Sequence, residues 1–135
     1  MLLFELRCFK NSELERLDQK IRSLPEQVIV PNTTVTITGG ITDLPMEKGE
    51  ITAKIITLYG KIVQAEFQKQ VVEWHAGGVA DGNLAAIYTP TIDALGVETY
   101  NEHTSEEYAD LATAEPRAKA LILLVKQLCE RWPNI

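Results

Sequence analysis

The stretch TDLPMEKGEITAKIITLYGKIVQA, residues 42–65, decides how the rest of the chain must be arranged. Stepped at about 100° per residue, Ile51, Ile55, Leu58, Tyr59 and Ile62 fall on one arc, with Ile56 and Val63 at its edge. Glu50, Lys54, Thr57, Gly60, Lys61 and Gln64 fall on the opposite arc. A strand fits worse, because at period two Ile56 and Leu58 would share a face with Lys54 and Gln64. Composition argues for the strand: Ile, Thr and Val are stiff at χ1, and Gly49 and Gly60 each cost a helix about 1 kcal/mol. Periodicity prevails, since packing of an apolar face outweighs propensity. Thr42 or Asp43 suits the cap, Pro45 the first turn, and Glu47 and Glu50 the positive end of the helix dipole. Such a helix, ~36 Å long, is about as long as a domain of this size is wide. Other elements, or a second copy, must pack on it. Beyond Ala65, residues Glu66, Lys69 and Gln70 land on the apolar arc. Residues 66–76 therefore fit either a fraying helix or the start of a strand, ended by Gly77 and Gly78.

Outward from this centre, the N-terminal residues 2–9 alternate. Leu2, Phe4, Leu6 and Cys8 share one face and Glu5 and Arg7 the other, which predicts a half-buried strand. Residues 11–24 predict a helix, with Ser12 and Glu15 as a capping box and Leu14, Leu17, Ile21 and Leu24 along one face, stopped before Pro25. Residues 28–38 are strand-like on both sides of Pro31, which confines them to an edge, a bend or a hairpin. Gly39 and Gly40 read as a turn needing positive φ rather than a phosphate cradle, because the following helix start is acidic and no GxxxxGK is present. Residues 77–83 read as a loop, 84–89 and 97–101 as short strands, and 105–111 as a short helix capped by Thr104 and Glu107. The last element, from Pro116 to Trp132 and ended by Pro133, is apolar almost all round and predicts a helix buried on nearly every side. No internal repeat or linker interrupts the chain, so residues 1–135 are expected to form one α+β domain: a small sheet packed on a long central amphipathic helix and a buried C-terminal helix.

The composition bounds the function. With 45% hydrophobic and 24% charged residues, the 135-residue chain is an ordinary globular one. A net charge of -6 disfavours nucleic acid, whose phosphates require clustered Lys and Arg. Cys8 and Cys129 form no CxxC and serve best as small apolar residues, with a disulfide joining the termini the lesser alternative. Glu5 and Arg7 interrupt the first apolar run, so it does not read as a signal peptide, and no run is long enough to span a bilayer; a cytoplasmic location is expected.

The segment TAEPRAKALILLV, residues 113–125, resembles the closing helix of small phage- and prophage-encoded domains of the ABA-sandwich type. The resemblance covers about 20 residues and implies a phage-type accessory protein. It transfers no catalytic residue, and the long central helix departs from that family's pattern.

Candidate chemistry is sparse. His75 and His103 each have carboxylates nearby, as an acid–base pair requires, but the bland role of a loop histidine fits both. No HxxxH or CxxC gives metal-ligand spacing, and no cofactor is expected. Ser12, Ser23 and Ser105 sit at helix boundaries, which disfavours a serine triad. Trp74, His75, Asp81 and Asn83 combine an aromatic ring, polar tips and a glycine-rich loop, a set suited to a small planar ligand. Arg117, at the start of the last helix, could pair with a carboxylate or hold an anion. Ile51, Ile55, Leu58 and Ile62 have heptad-like spacing, so they suit a core stripe or a seam with a second copy. These observations predict a non-enzymatic accessory protein that self-associates as a dimer or higher oligomer and binds a host protein or sequesters a small ligand. The alternatives are a small enzyme using a His/carboxylate pair and a structural assembly component.

Overall fold

Tyr59, Ile62 and their neighbours on the central stretch are buried, and the element they form is the helix the periodicity predicts. The computed structural model describes residues 1–27 and 30–131. The elements run α1 (Asn11–Arg22), a 3-10 turn (Leu24–Gln27), α2 (Glu50–Phe67), α3 (Asp81–Ala86), β1 (Glu98–Tyr100), β2 (Tyr108–Asp110), a second 3-10 turn (Leu111–Thr113) and α4 (Ala114–Arg131). The fold is α+β: among the described residues there are four helices and a two-stranded antiparallel sheet, with the C-terminal helix packed on α2. Two compact units are present, each built from two stretches of chain: Met1–Glu47 with His75–Thr89, and Lys48–Trp74 with Pro90–Ile135.

The second unit carries the core. Helix α2 buries Thr52, Ile55, Leu58, Tyr59 and Ile62, and α4 lays Ala120 and Leu124 against them. Val63, Phe67, Val71, Ile92, Leu95, Leu123 and Leu128 pack around this nucleus. The helices run antiparallel. Lys119, near the start of α4, pairs with Glu66 at the end of α2 (2.6 Å), while Arg131 at the end of α4 lies beside Glu50, Lys54 and Lys61. Strands β1 and β2 pair Glu98 with Asp110, Thr99 with Ala109 and Tyr100 with Tyr108. The hairpin is tied to the approach of α4, because the Glu98 N–H donates to Thr113 Oγ1 (2.9 Å) and Arg117 Nη2 to Glu98 Oε1 (3.0 Å).

Helix α2 is shorter than its pattern predicts, beginning at Glu50 after an extended Gly49 rather than near Asp43. Tertiary hydrogen bonds hold the preceding residues out of a helix. The Leu44 carbonyl accepts from Asn83 Nδ2 (2.9 Å), and Glu47 Oε1 accepts from the Asn11 N–H (2.6 Å). Pro45 adds its own restriction on Leu44. At the other end α2 runs to Phe67, where Gln68 turns left-handed at φ 55° and its N–H donates to the Gln64 carbonyl. The residues that follow, 69–76, are neither helix nor strand.

In the first unit, α1 forms as expected and buries Leu14, but its cap differs. Ser12 and Glu15 make no capping box; the distant Glu47 carboxylate satisfies the orphan N–H of Asn11 instead. The alternating residues 2–9 join no ladder, and Leu2, Leu3 and Phe4 are exposed. Residues 30–38 join none either; Val28 and Ile29 lie outside the described residues. A strand needs a partner for its N–H and C=O groups, and the only ladder among the described residues is the β1–β2 hairpin. Gly39 does adopt positive φ (92°), as the turn reading requires.

Three further expectations change. Residues 81–86 form α3 instead of leading into a strand, because Asn83 Oδ1 accepts from the Ala80 N–H (3.1 Å) and the alanines favour helix. The expected helix over 105–111 is instead a turn and β2. Thr104 Oγ1 accepts from Glu106 N–H and Glu107 Oε2 from His103 N–H, so the same side chains that suit a cap close a hairpin loop. Helix α4 is buried along one face rather than on nearly all sides: Ile122 is 69% and Val125 56% exposed. Trp132 and Pro133, expected at its end, lie outside the described residues.

Candidate functional groove on the α2–α4 pair

Two helices packed side by side leave a furrow along each flank. On one flank of the α2–α4 pair, the furrow opens into a depression of about 500 Å³ lined by Glu50, Ala53, Lys54, Thr57, Leu58, Lys61 and Arg131. It continues into a second, of about 310 Å³, that shares Leu58, Lys61 and Arg131 and adds Ile62, Ala65, Glu66, Leu123 and Gln127. Beneath it lie the buried Leu58 and Ile62, and its charged lining is Lys54, Lys61 and Arg131 with Glu50 and Glu66. Small residues, Ala53 and Ala65, keep the furrow open on the α2 side. Such a shape matches the apolar stripe of another helix.

The rim charges are not equivalent. Lys54 pairs with Glu50 one turn earlier (3.3 Å), and Glu66 is engaged by Lys119, whose ammonium also lies 5.6 Å from the Phe67 ring centroid. Thr57 Oγ1 donates to the Ala53 carbonyl and is committed to its own helix. Among the described residues, Lys61 and Arg131 have no carboxylate within ion-pair distance; Lys10, Lys20, Lys69 and Lys126 share that property but do not line the groove.

The residues singled out from sequence fall in both units. Trp74 is 74% exposed and belongs to the second unit; His75, Asp81 and Asn83 belong to the first. His75 lies against the Phe9 ring, with centroids 4.4 Å apart and planes tilted by 42°. Asp81 is exposed at the start of α3. Asn83 spends both ends of its amide on backbone, bonding Ala80 and Leu44, and so braces the loop. Arg117 is likewise occupied: Nη1 donates to the Ala94 carbonyl (3.2 Å) and Nη2 to Glu98. Glu98 also accepts from the Tyr100 hydroxyl (3.1 Å), and Tyr100 stacks on Tyr108 with centroids 5.2 Å apart. The Arg117 hydrogen bond, with help from Tyr100, holds the Glu98 carboxyl below its usual range, while Glu98 raises the Tyr100 phenol. In the heptad-like row, Ile55, Leu58 and Ile62 are covered by their own chain, and Ile51 stays 38% exposed.

Two surfaces escape the sequence argument. The groove cations Lys54 and Lys61, one heptad apart, mark one flank of α2 and are legible in sequence as a pair; Arg131 joins them only through antiparallel packing. On α4, Ala118, Ile122, Val125 and Cys129 repeat at four, three and four residues and form an exposed apolar stripe on the side away from the core. Compared with known proteins, the chain matches no family model, and no curated protein or solved structure is significantly similar to it.

Proposed function

We propose that this chain is a non-enzymatic accessory protein that works by binding another protein, and that its working surface is the groove between α2 and α4, which receives a helix. The observation that carries this reading is a furrow along the α2–α4 pair, two adjoining depressions of about 500 and 310 Å³ in which Ala53 and Ala65 leave room above the buried Leu58 and Ile62. Helix-in-groove recognition needs that shape: a preformed furrow with alternate small residues, into which the apolar anchors of a partner helix fit. The resemblance of residues 113–125 to phage-encoded accessory domains supports the same class. The experiment is fluorescence anisotropy with a labelled synthetic amphipathic helix bearing a leucine face. Ala65→Trp fills the groove from an exposed position and should weaken binding at least about ten-fold, a loss expected when a central anchor pocket is blocked. His75→Ala and His103→Ala should leave binding unchanged; loss of biological function in either folded variant would favour the acid–base enzyme instead.

The stripe of Ala118, Ile122, Val125 and Cys129 supports self-association as a second surface property. Its spacing is that of a helix–helix seam, with β-branched Ile122 and Val125 at the centre. Light scattering on the sized protein should report an oligomer that Ile122→Glu converts to monomer.

A further inference from the structure

Resting on the groove reading, we infer that the helix received between α2 and α4 is acidic along the edges of its apolar face and comes from a different protein rather than a second copy of this chain. The argument is one of charge. The protein as a whole carries a net charge of -6, yet the charged residues lining this groove are Lys54, Lys61 and Arg131 against Glu50 and Glu66. Lys54 is neutralised by Glu50; Lys61 and Arg131 are left without a carboxylate among the described residues. Both border the two contiguous depressions, so they flank whatever lies along the furrow. A partner with Glu or Asp beside its apolar stripe would neutralise them, and one with Lys or Arg there would be repelled.

The chain's own helices do not fit this description. In α1, Glu13, Glu15 and Asp18 are balanced by Arg16, Lys20 and Arg22, and its arginines already hold Glu13 and Asp18. In α4, Glu115 and Glu130 are outnumbered by Arg117, Lys119, Lys126 and Arg131. In α2, Glu50 and Glu66 are matched by Lys54 and Lys61. Helix α3 is too short to lie along the groove. A small anion would meet the two cations but fill neither depression.

The test uses the full chain and two labelled synthetic peptides, each as long as α2, with identical leucine faces. One carries glutamates along both edges of that face and the other lysines. At low salt the acidic peptide should bind roughly ten-fold tighter or more, and the gap should shrink as salt shortens the reach of the rim charges. Lys61→Glu with Arg131→Glu, both at exposed positions, should reverse the preference while leaving the circular dichroism spectrum unchanged. Equal binding of both peptides, lost alike in Ala65→Trp, would overturn the charge assignment and leave the groove reading standing. Failure of both peptides to bind would remove the charge assignment and the groove reading together. Displacement of the acidic peptide by inorganic phosphate at fixed ionic strength would make the site an anion pocket. An oligomer dispersed by Ala65→Trp would make the occupant a second copy. Either result overturns the inference.

Discussion

The two units of this molecule contain similar amounts of apolar patterning but use it differently. In Lys48–Trp74 with Pro90–Ile135, one patterned helix meets another, and Ile55, Leu58, Tyr59, Ile62, Ala120 and Leu124 close into a single buried cluster. In Met1–Glu47 with His75–Thr89, the alternating residues 2–9 and 34–38 find no ladder, and Leu14 is the buried hydrophobic residue among those described. That unit is held by side chains reaching backbone: Arg7 to the Gly77 carbonyl, Arg22 to the Gly39 carbonyl, Asn83 to Leu44, and Glu47 to the Asn11 N–H. The difference teaches that a helix satisfies its own backbone and can wait for any apolar neighbour, whereas a strand is realised only when a specific partner lies alongside it.

The comparison breaks most sharply at Ile62. Ile62→Ala removes a side chain only 4% exposed from the packed cluster and should cost about 2–5 kcal/mol in denaturant unfolding. Leu14→Ala should cost clearly less, because Leu14 belongs to no buried cluster. Equal losses would mean that the first unit has a core of the same quality. A smaller effect is expected at Asn83. Asn83→Ala deletes two backbone contacts, one of them part-buried, and should destabilise by roughly 1–2 kcal/mol. Amide exchange should localise that loss to the first unit, and faster exchange in α2 and α4 as well would show the two units to be one cooperative body.

The smallest effect concerns the link between hairpin and α4. The Glu98 carboxyl lies below its ordinary range because of Arg117 first and Tyr100 second. A depressed carboxyl contributes its stability above the ordinary carboxylate pKa and loses it as pH falls through the lowered folded value. The near-ultraviolet circular dichroism of the stacked Tyr100–Tyr108 pair should therefore hold steady at neutral pH and fade in the acid range below the usual carboxylate pKa. Glu98→Gln should remove that acid step. A step that persists in the variant would assign it to another carboxylate, with Asp110 the first to examine.

Helices α1, α2 and α4 were legible because each carries its own repeat: Leu14, Leu17 and Ile21; Ile55, Leu58 and Ile62; Ala120 and Leu124. The start of α2 was not, since Leu44 and Glu47 are held by residues 39 and 36 positions away along the chain. The Thr104 and Glu107 pattern misled because hydroxyl and carboxylate bonds to nearby N–H groups serve hairpin loops as well as helix starts. Of the proposed ligand residues, Asn83 and Arg117 proved to be committed to backbone and to Glu98. Composition cannot reveal such commitments, because a free and a satisfied polar side chain are written with the same letter.

By itself, the order of residues determined that this chain has an α+β character, where its long helices lie and which arc of α2 turns inward, because those follow from periodicity and local sterics. Tertiary structure alone decided that α4 covers α2 with one face and leaves Ile122 and Val125 open, that residues 2–9 remain unpaired, and that Arg131 joins Lys54 and Lys61 around one groove. Each of these depends on which distant segment arrives as a neighbour, and burial, pairing and charge balance are properties of neighbours.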